Sequence, residues 1–195
     1  TVLSSHPEVD VISFTGSSRT GKIIMANASN TIKHVSLELG GKAPALVFDD
    51  ADLDRSVAEI RRGVLALNGQ MCTCISRILV QDRVYNSMKA RLSEAFTSVR
   101  IGDASAADTE LGPIIDHANQ QRLATIIDRA ASVAQMVVHG GIGAGDLAKG
   151  YFITPSMFEI DDVHHGLVHD ELFGPIVSLE RFGDEDEALA KANAT

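Results

Sequence analysis

Cysteine is scarce in this chain: Cys72 and Cys74, one residue apart, are its two thiols in 195 residues. A pair so placed cannot staple a small secreted domain, which points to a reducing compartment and a cytoplasmic protein. Basic residues are short as well. There are 17 Lys and Arg against 26 Asp and Glu, a formal charge of −9, and no basic cluster exceeds two adjacent positions. Nucleic acid and anionic membranes are poor partners for that balance. No apolar run approaches the ~20 residues that span a bilayer and no charged-then-apolar leader opens the chain, so a soluble protein is expected. Repeats and low-complexity tracts are missing too. The composition, 45% hydrophobic and 22% charged, suffices for one sizeable core or for one domain and part of a second. A start on Thr1 and a close on the unfinished helical stretch "DEDEALAKANAT" suggest a piece of a longer protein.

Strand and helix patterns alternate along the chain. "VDVISF" (9–14) is apolar and β-branched, and a Gly/Ser turn leads from it into a helix beginning near "GKIIMANAS". "IKHVSLEL" (32–39) alternates strictly, with Val35, Leu37 and Leu39 on one face and Ser36 and Glu38 on the other. Gly40 and Gly41 break it and form the natural domain boundary. "APALVF" resumes as a buried strand, and Asp50 or Asp52 can cap a helix carrying Leu53, Val57, Ile60, Val64 and Leu67, which ends near Asn68 and Gly69. Then come a strand at 76–81, a helix striped by Val84, Met88, Leu92 and Phe96, a loop through "LGPIID", a helix over about 117–133 and a strand "MVVH". The five glycines of "GGIGAGDLAKG" read as a mobile surface loop, with "YFITPSMFEI" and "GPIVSLERF" as the last strands. Interleaving of this kind predicts an α/β protein.

Three stretches could carry chemistry. "FTGSSRTGKI" (14–23) falls one side chain short of a nucleoside-triphosphate phosphate loop: Gly16, Gly21 and Lys22 fit, but Ile23 stands where a hydroxyl should hold magnesium. An ATPase or nucleotide-binding regulatory module is weakened by that gap and by the lack of an acidic magnesium partner at a strand end. "NGQMCTCISR" sets Cys72 in a polar, glycine-containing connection where a nucleophile could sit, although free cysteines are more often small semi-buried residues. Glu38 closes a strand just before two glycines, where a carboxylate can face a cleft; a surface glutamate is the ordinary alternative. The residues His164, His165 and His169, with Asp161 and Asp170, have no zinc-like spacing to the cysteines, so no metal is expected and the histidines read as a solvated loop.

Taken together and in order, "FTGS" (14–17), "LELGGK" (37–42), "GQMC" ending at Cys72 and "ELFGP" (171–175) resemble the motifs of the NAD(P)-dependent aldehyde dehydrogenase superfamily. The resemblance runs from near Val9 to the end. It implies a three-layer α/β catalytic domain over residues 41–195, preceded in residues 1–40 by the last part of a Rossmann-like cofactor domain. It makes "FTGSSRTG" the turn that carries the cofactor pyrophosphate, with Gly16 allowing close approach and Ser17 adding a hydroxyl.

The same resemblance makes Cys72 the nucleophile that forms a thiohemiacetal with an aldehyde, and Glu38 the general base for hydrolysis of the ensuing thioester. Glu171 would hold the nicotinamide ribose hydroxyls, Phe173 would pack beside the nicotinamide, and Leu39 would offer it a main-chain contact. The implied cofactor is NAD or NADP, the partner a small-molecule aldehyde, and the full-length protein a homodimer or homotetramer. The oxyanion asparagine and the residues that choose between NAD and NADP lie in upstream motifs outside these residues, so this chain alone is expected to be inactive. A relative that passes the thioester to coenzyme A is the nearest alternative, and Glu38, suited to activating water, argues against it. A non-catalytic structural member of the family is a further alternative, disfavoured because Glu38 and Cys72 are both present. Cys74 and Ile75 depart from the small residues usual after the nucleophile. Cys74 could fill a core gap, or could trap Cys72 in a strained reversible disulfide.

Overall fold

The computed structural model describes residues 2–195, which fall into two compact units, Thr1–Gly41 and Lys42–Thr195. The first contains α1 (Val2–Ser5), β1 (Val11–Gly16), α2 (Ser18–Ser29) and β2 (His34–Leu39). β1 and β2 pair in parallel, with Phe14 opposite Leu37 and Thr15 opposite Glu38. The strict alternation of β2 is realised: Val35, Leu37 and Leu39 are half-buried while Ser36 and Glu38 are exposed. Leu37 and Leu39 turn toward α2 at Gly21, where an added Cβ would stand 3.1 Å from a Leu39 methyl.

The second unit is built on a five-stranded sheet. Its elements are β3 (Ala43–Val47), α3 (Leu53–Leu65), β4 (Ile75–Gln81), α4 (Asp82–Thr97), α5 (His117–Ala131), β5 (Gln135–Val138), β6 (Gly141–Ile142), β7 (Ile153–Thr154), β8 (Ser156–Glu159), α6 (Gly166–His169), β9 (Ile176–Phe182) and α7 (Glu185–Ala192). The strand order is β3-β4-β9-β8-β5; all neighbours are parallel except β5 against β8. Strands buried on both faces read as continuous apolar runs, and Ile78, Leu79 and Val80 show why. Ile78 and Val80 enter the core formed with Ile60 and Val64 of α3 and Met88, Leu92 and Phe96 of α4, whereas Leu79 packs on the opposite face with Phe182 and Ala188 of α7. Leu123 and Ile127 of α5 close a further cluster with Phe158 and Ile176. Helices thus cover both faces of the sheet, giving the three-layer α/β architecture. Of the two candidate caps for α3, Asp52 serves: its carboxylate accepts the Arg55 N–H at 3.1 Å.

Two local expectations change. α3 stops at Leu65, and a single 3₁₀ turn (Ala66–Gly69) with Leu67 and Asn68 at positive φ carries the chain onward. The stretch 140–150 is not a slack loop. β6 pairs antiparallel with β7, the Gly143 N–H donates to the Phe152 carbonyl at 3.1 Å, and Gly145–Lys149 forms a 3₁₀ turn. Gly140, Gly143 and Gly150 serve close approach, a Cβ at Gly140 lying 2.3 Å from the Pro155 carbonyl oxygen, while Gly141 and Gly145 take positive φ. Among the described residues no helix is long and apolar enough to cross a membrane.

Candidate active site

Three segments with candidate chemistry arrive at one edge of the five-stranded sheet. β3, β4 and β9 are adjacent and parallel, so their first residues lie side by side. Lys42 immediately precedes β3, Cys72 and Cys74 immediately precede β4, and Glu171 to Pro175 immediately precede β9. The usual ligand edge of an open parallel sheet is the carboxyl end of its strands; here the candidates gather at the amino end.

Backbone geometry ties the second and third segments together. Gly69 has φ +73°, and a Cβ there would come within 2.4 Å of the Gly174 carbonyl carbon. Gly174 is itself pressed from the other side by Leu123 of α5, whose methyl would be 2.5 Å from an added Cβ. Glycine at 69 lets the Cys72 turn touch the Gly174–Pro175 main chain, and glycine at 174 lets Leu123 of α5 pack against that segment. The turn is also pegged from outside. The Asn68 side chain accepts the Gly112 N–H and donates to the Pro113 carbonyl, both at 2.9 Å, and the Gln70 side-chain Oε1 accepts the Ile115 N–H at 3.0 Å.

Within this turn the two cysteines differ. Cys72 is exposed and Cys74 is buried. The Cys74 thiol donates to the Ala66 carbonyl at 3.3 Å, and burial pushes its pKa up, with the Cys72 sulfur adding in the same direction against a lowering hydrogen bond from Met71. Cys74 is therefore a protonated packing residue, and Cys72 is the thiol a ligand can reach. Glu171 is exposed, and Phe173 holds an exposed ring on a backbone at φ +58°. A non-glycine residue in that region is uncommon and marks a constrained segment.

Some residues at this edge were not singled out from sequence. Arg122 of α5 donates to the Leu172 carbonyl at 2.6 Å and, with Ile126, Arg129, His165, Asp170 and Glu171, lines an open groove of about 420 Å³. Lys42 was legible only as the last letter of "LELGGK". It is 7% exposed, and its ammonium donates no hydrogen bond among the described residues. Its pKa is lowered to about 8, first by burial, then by Arg77, against the raising charges of Glu180, Asp170 and Glu171.

In the first unit, Gly16 ends β1 and Ser17 caps α2, its hydroxyl accepting the Thr20 N–H at 3.3 Å. Glu38 and Leu39 close β2, with the Glu38 carboxylate on the exposed face and Leu39 turned inward. Among the described residues no three His, Cys, Asp or Glu side chains are grouped to hold an ion. His164 and His169 instead stack with ring centroids 6.1 Å apart, while His165 accepts the Leu167 N–H at the start of α6.

Comparison with known proteins gives the family. The model of the aldehyde dehydrogenase family matches residues 1–195. A chloroplastic betaine aldehyde dehydrogenase from Beta vulgaris is 37% identical over 193 residues, which is 99% of this chain and 39% of that protein. A betaine aldehyde dehydrogenase from Vibrio vulnificus is 37% identical over 198 residues, covering 100% of this chain and 40% of its own length. Among solved structures, a Staphylococcus aureus betaine aldehyde dehydrogenase in complex with NAD+ superposes with a TM-score of 0.94 at 39% identity, over 99% of this chain and 39% of that one. A Pseudomonas syringae aldehyde dehydrogenase mutant complexed with NAD+ and octanal gives 0.93 at 31% identity, over 99% and 40% of the two chains. The chain thus spans about two fifths of the length of the curated relatives it matches.

Proposed function

The chain belongs to the aldehyde dehydrogenase family, and on that premise we propose that it supplies the nucleophile, the general base and part of the cofactor site of an enzyme oxidising an aldehyde to a carboxylic acid with NAD(P)+. The observation that carries this reading is the exposed Cys72 held, through the Gly69–Gly174 contact, beside the segment bearing Glu171 and Phe173.

The donor chemistry suits a dinucleotide. Glu171 offers two acceptor oxygens to vicinal ribose hydroxyls, Phe173 an exposed aromatic ring, and Gly16 with Ser17 a glycine-flanked helix start for pyrophosphate. NAD(P)+, when bound, supplies the hydride acceptor. The Cys72 thiolate adds to the aldehyde carbon to give a thiohemiacetal, and loss of hydride from that carbon leaves a thioester on Cys72. Glu38 takes a proton from water as the water adds to the thioester carbonyl; carboxylate leaves and Cys72 regains its thiol. The relatives named for betaine aldehyde and aminoaldehydes make small amino-substituted aldehydes the first substrates to test.

The test uses the full-length protein containing this chain. Cys72→Ala is expected to lower aldehyde-dependent NADH formation by at least about 1,000-fold while NAD+ still binds. Glu38→Gln is expected to keep a rapid burst of about one NADH per active site and lose steady turnover, the mark of a stalled thioester. Full turnover by Cys72→Ala would overturn the proposal.

A further inference from the structure

We propose that Lys42 is a positioning residue for cofactor binding, its buried ammonium holding the Glu171 carboxylate in the orientation that receives the ribose hydroxyls; this rests on the reading of Glu171 given above. Lys42 sits at the head of β3, on the sheet edge where the Cys72 turn and the Glu171 segment also arrive. It is sequestered from water and finds no hydrogen-bond acceptor among the described residues.

The charges that act on it come from β4, β9 and the segment ahead of β9: Arg77, Glu180, Asp170 and Glu171. Two of these are committed to each other. Arg77 and Glu180 form a buried, two-pronged ion pair at 3.0 and 2.7 Å, and Ser178 donates to the same carboxylate at 2.7 Å. Their opposite signs largely offset at Lys42. The uncommitted carboxylates that favour its charge are Asp170 and Glu171, both on exposed residues.

An ammonium buried without an acceptor is costly, and that cost falls when a carboxylate turns inward to meet it. The attraction acts equally on Glu171, favouring its inward orientation over the many it can adopt in water. It vanishes when the amine loses its proton, which for Lys42 happens near pH 8 rather than at the ordinary lysine value.

Equilibrium binding of NAD+ to the full-length protein, measured by calorimetry at pH 7 and pH 9.5, tests this without any turnover. The wild-type dissociation constant is expected to rise about three- to ten-fold between the two values, the size of a partly solvated charge pair. Lys42→Met should bind weakly and equally at both. Lys42→Arg, charged throughout, should stay tight at pH 9.5, and it decides the matter if the methionine variant fails to fold. A Lys42→Met protein with the wild-type profile, or a Lys42→Arg protein that weakens in step with wild type, would overturn the role of Lys42. Glu171→Gln separates the two readings. Weak, pH-independent binding supports both, whereas unimpaired binding removes Glu171 from the cofactor site and this proposal with it.

Discussion

At the scale of single residues, the site edge is defined by contrasts between neighbours of like chemistry. Cys72 and Cys74 share a turn, yet one faces water and the other donates a hydrogen bond to the Ala66 carbonyl. Lys42 differs from the other lysines in being buried without an acceptor, and this has a consequence for stability. Its folded-state pKa, about 8, lies below the 10.5 of an unfolded lysine. Between those values the unfolded chain binds the extra proton, so the contribution of Lys42 to stability rises with pH across that window and is most unfavourable below pH 8. The shift of roughly 2.5 units corresponds to about 3 kcal/mol. Lys42→Met is therefore expected to be more stable than wild type at pH 7 by up to about 3 kcal/mol. Its advantage should shrink steadily between pH 8 and 10.5, as read from urea midpoints of the two proteins at matched pH. A difference independent of pH, or a less stable variant at pH 7, would show that burial does not dominate the energetics of the amine.

At the scale of elements, the Cys72 turn and the entry to β9 approach main chain to main chain at Gly69 and Gly174. Gly69 is required both for its φ of +73° and because a Cβ would meet the Gly174 carbonyl at 2.4 Å, backbone against backbone with no flexible end to yield. Gly69→Ala should cost more than about 3 kcal/mol in a chemical denaturation experiment. Gly41→Ala, where nothing lies within 4 Å, should be neutral or gain less than about 1 kcal/mol. Equal effects would mean that the turn and β9 are not locked together. These elements also mark what could be read from sequence. β2 was legible because period-two alternation survives in a half-buried strand, and α3 because Asp52 and a helical apolar stripe announce it. The 140–150 stretch was misread because glycine written in a sequence does not distinguish slack from close approach. Cys72, Glu171 and Phe173 were recognisable by motif, but the contact of their segments at Gly69 and Gly174 is a tertiary fact. So are the burial of Lys42 and the bond from Arg122 to the Leu172 carbonyl, 50 residues apart. No local pattern encodes them.

At the scale of the whole molecule, the two units are unequal. The second has three apolar clusters that cover both faces of its five-stranded sheet. The first has two parallel strands, and among its described residues only Ser4, Gly21 and Ala28 are buried, while Val11, Ile23, Met25 and Ile32 are exposed. A two-stranded parallel pair buries too little apolar surface to be stable by itself, and parallel sheets occur almost always with both faces covered and more strands beside them. Since the chain spans about two fifths of its curated relatives, residues 1–195 expressed alone should behave as a folded second unit with a labile first one. Backbone amides of β4 and β9 are expected to resist hydrogen exchange for hours, and those of β1 and β2 to exchange within minutes. Glu38, Leu39, Gly16 and Ser17 all sit on the labile side, so the proposed base and pyrophosphate contacts would not be held in place. The same protein should then form no NADH from aldehyde, although the Cys72 thiol remains open to alkylation. Protection of β1 and β2 equal to that of β4, together with aldehyde turnover by these residues alone, would show that the first unit is self-sufficient and that cofactor and aldehyde need nothing beyond residues 1–195.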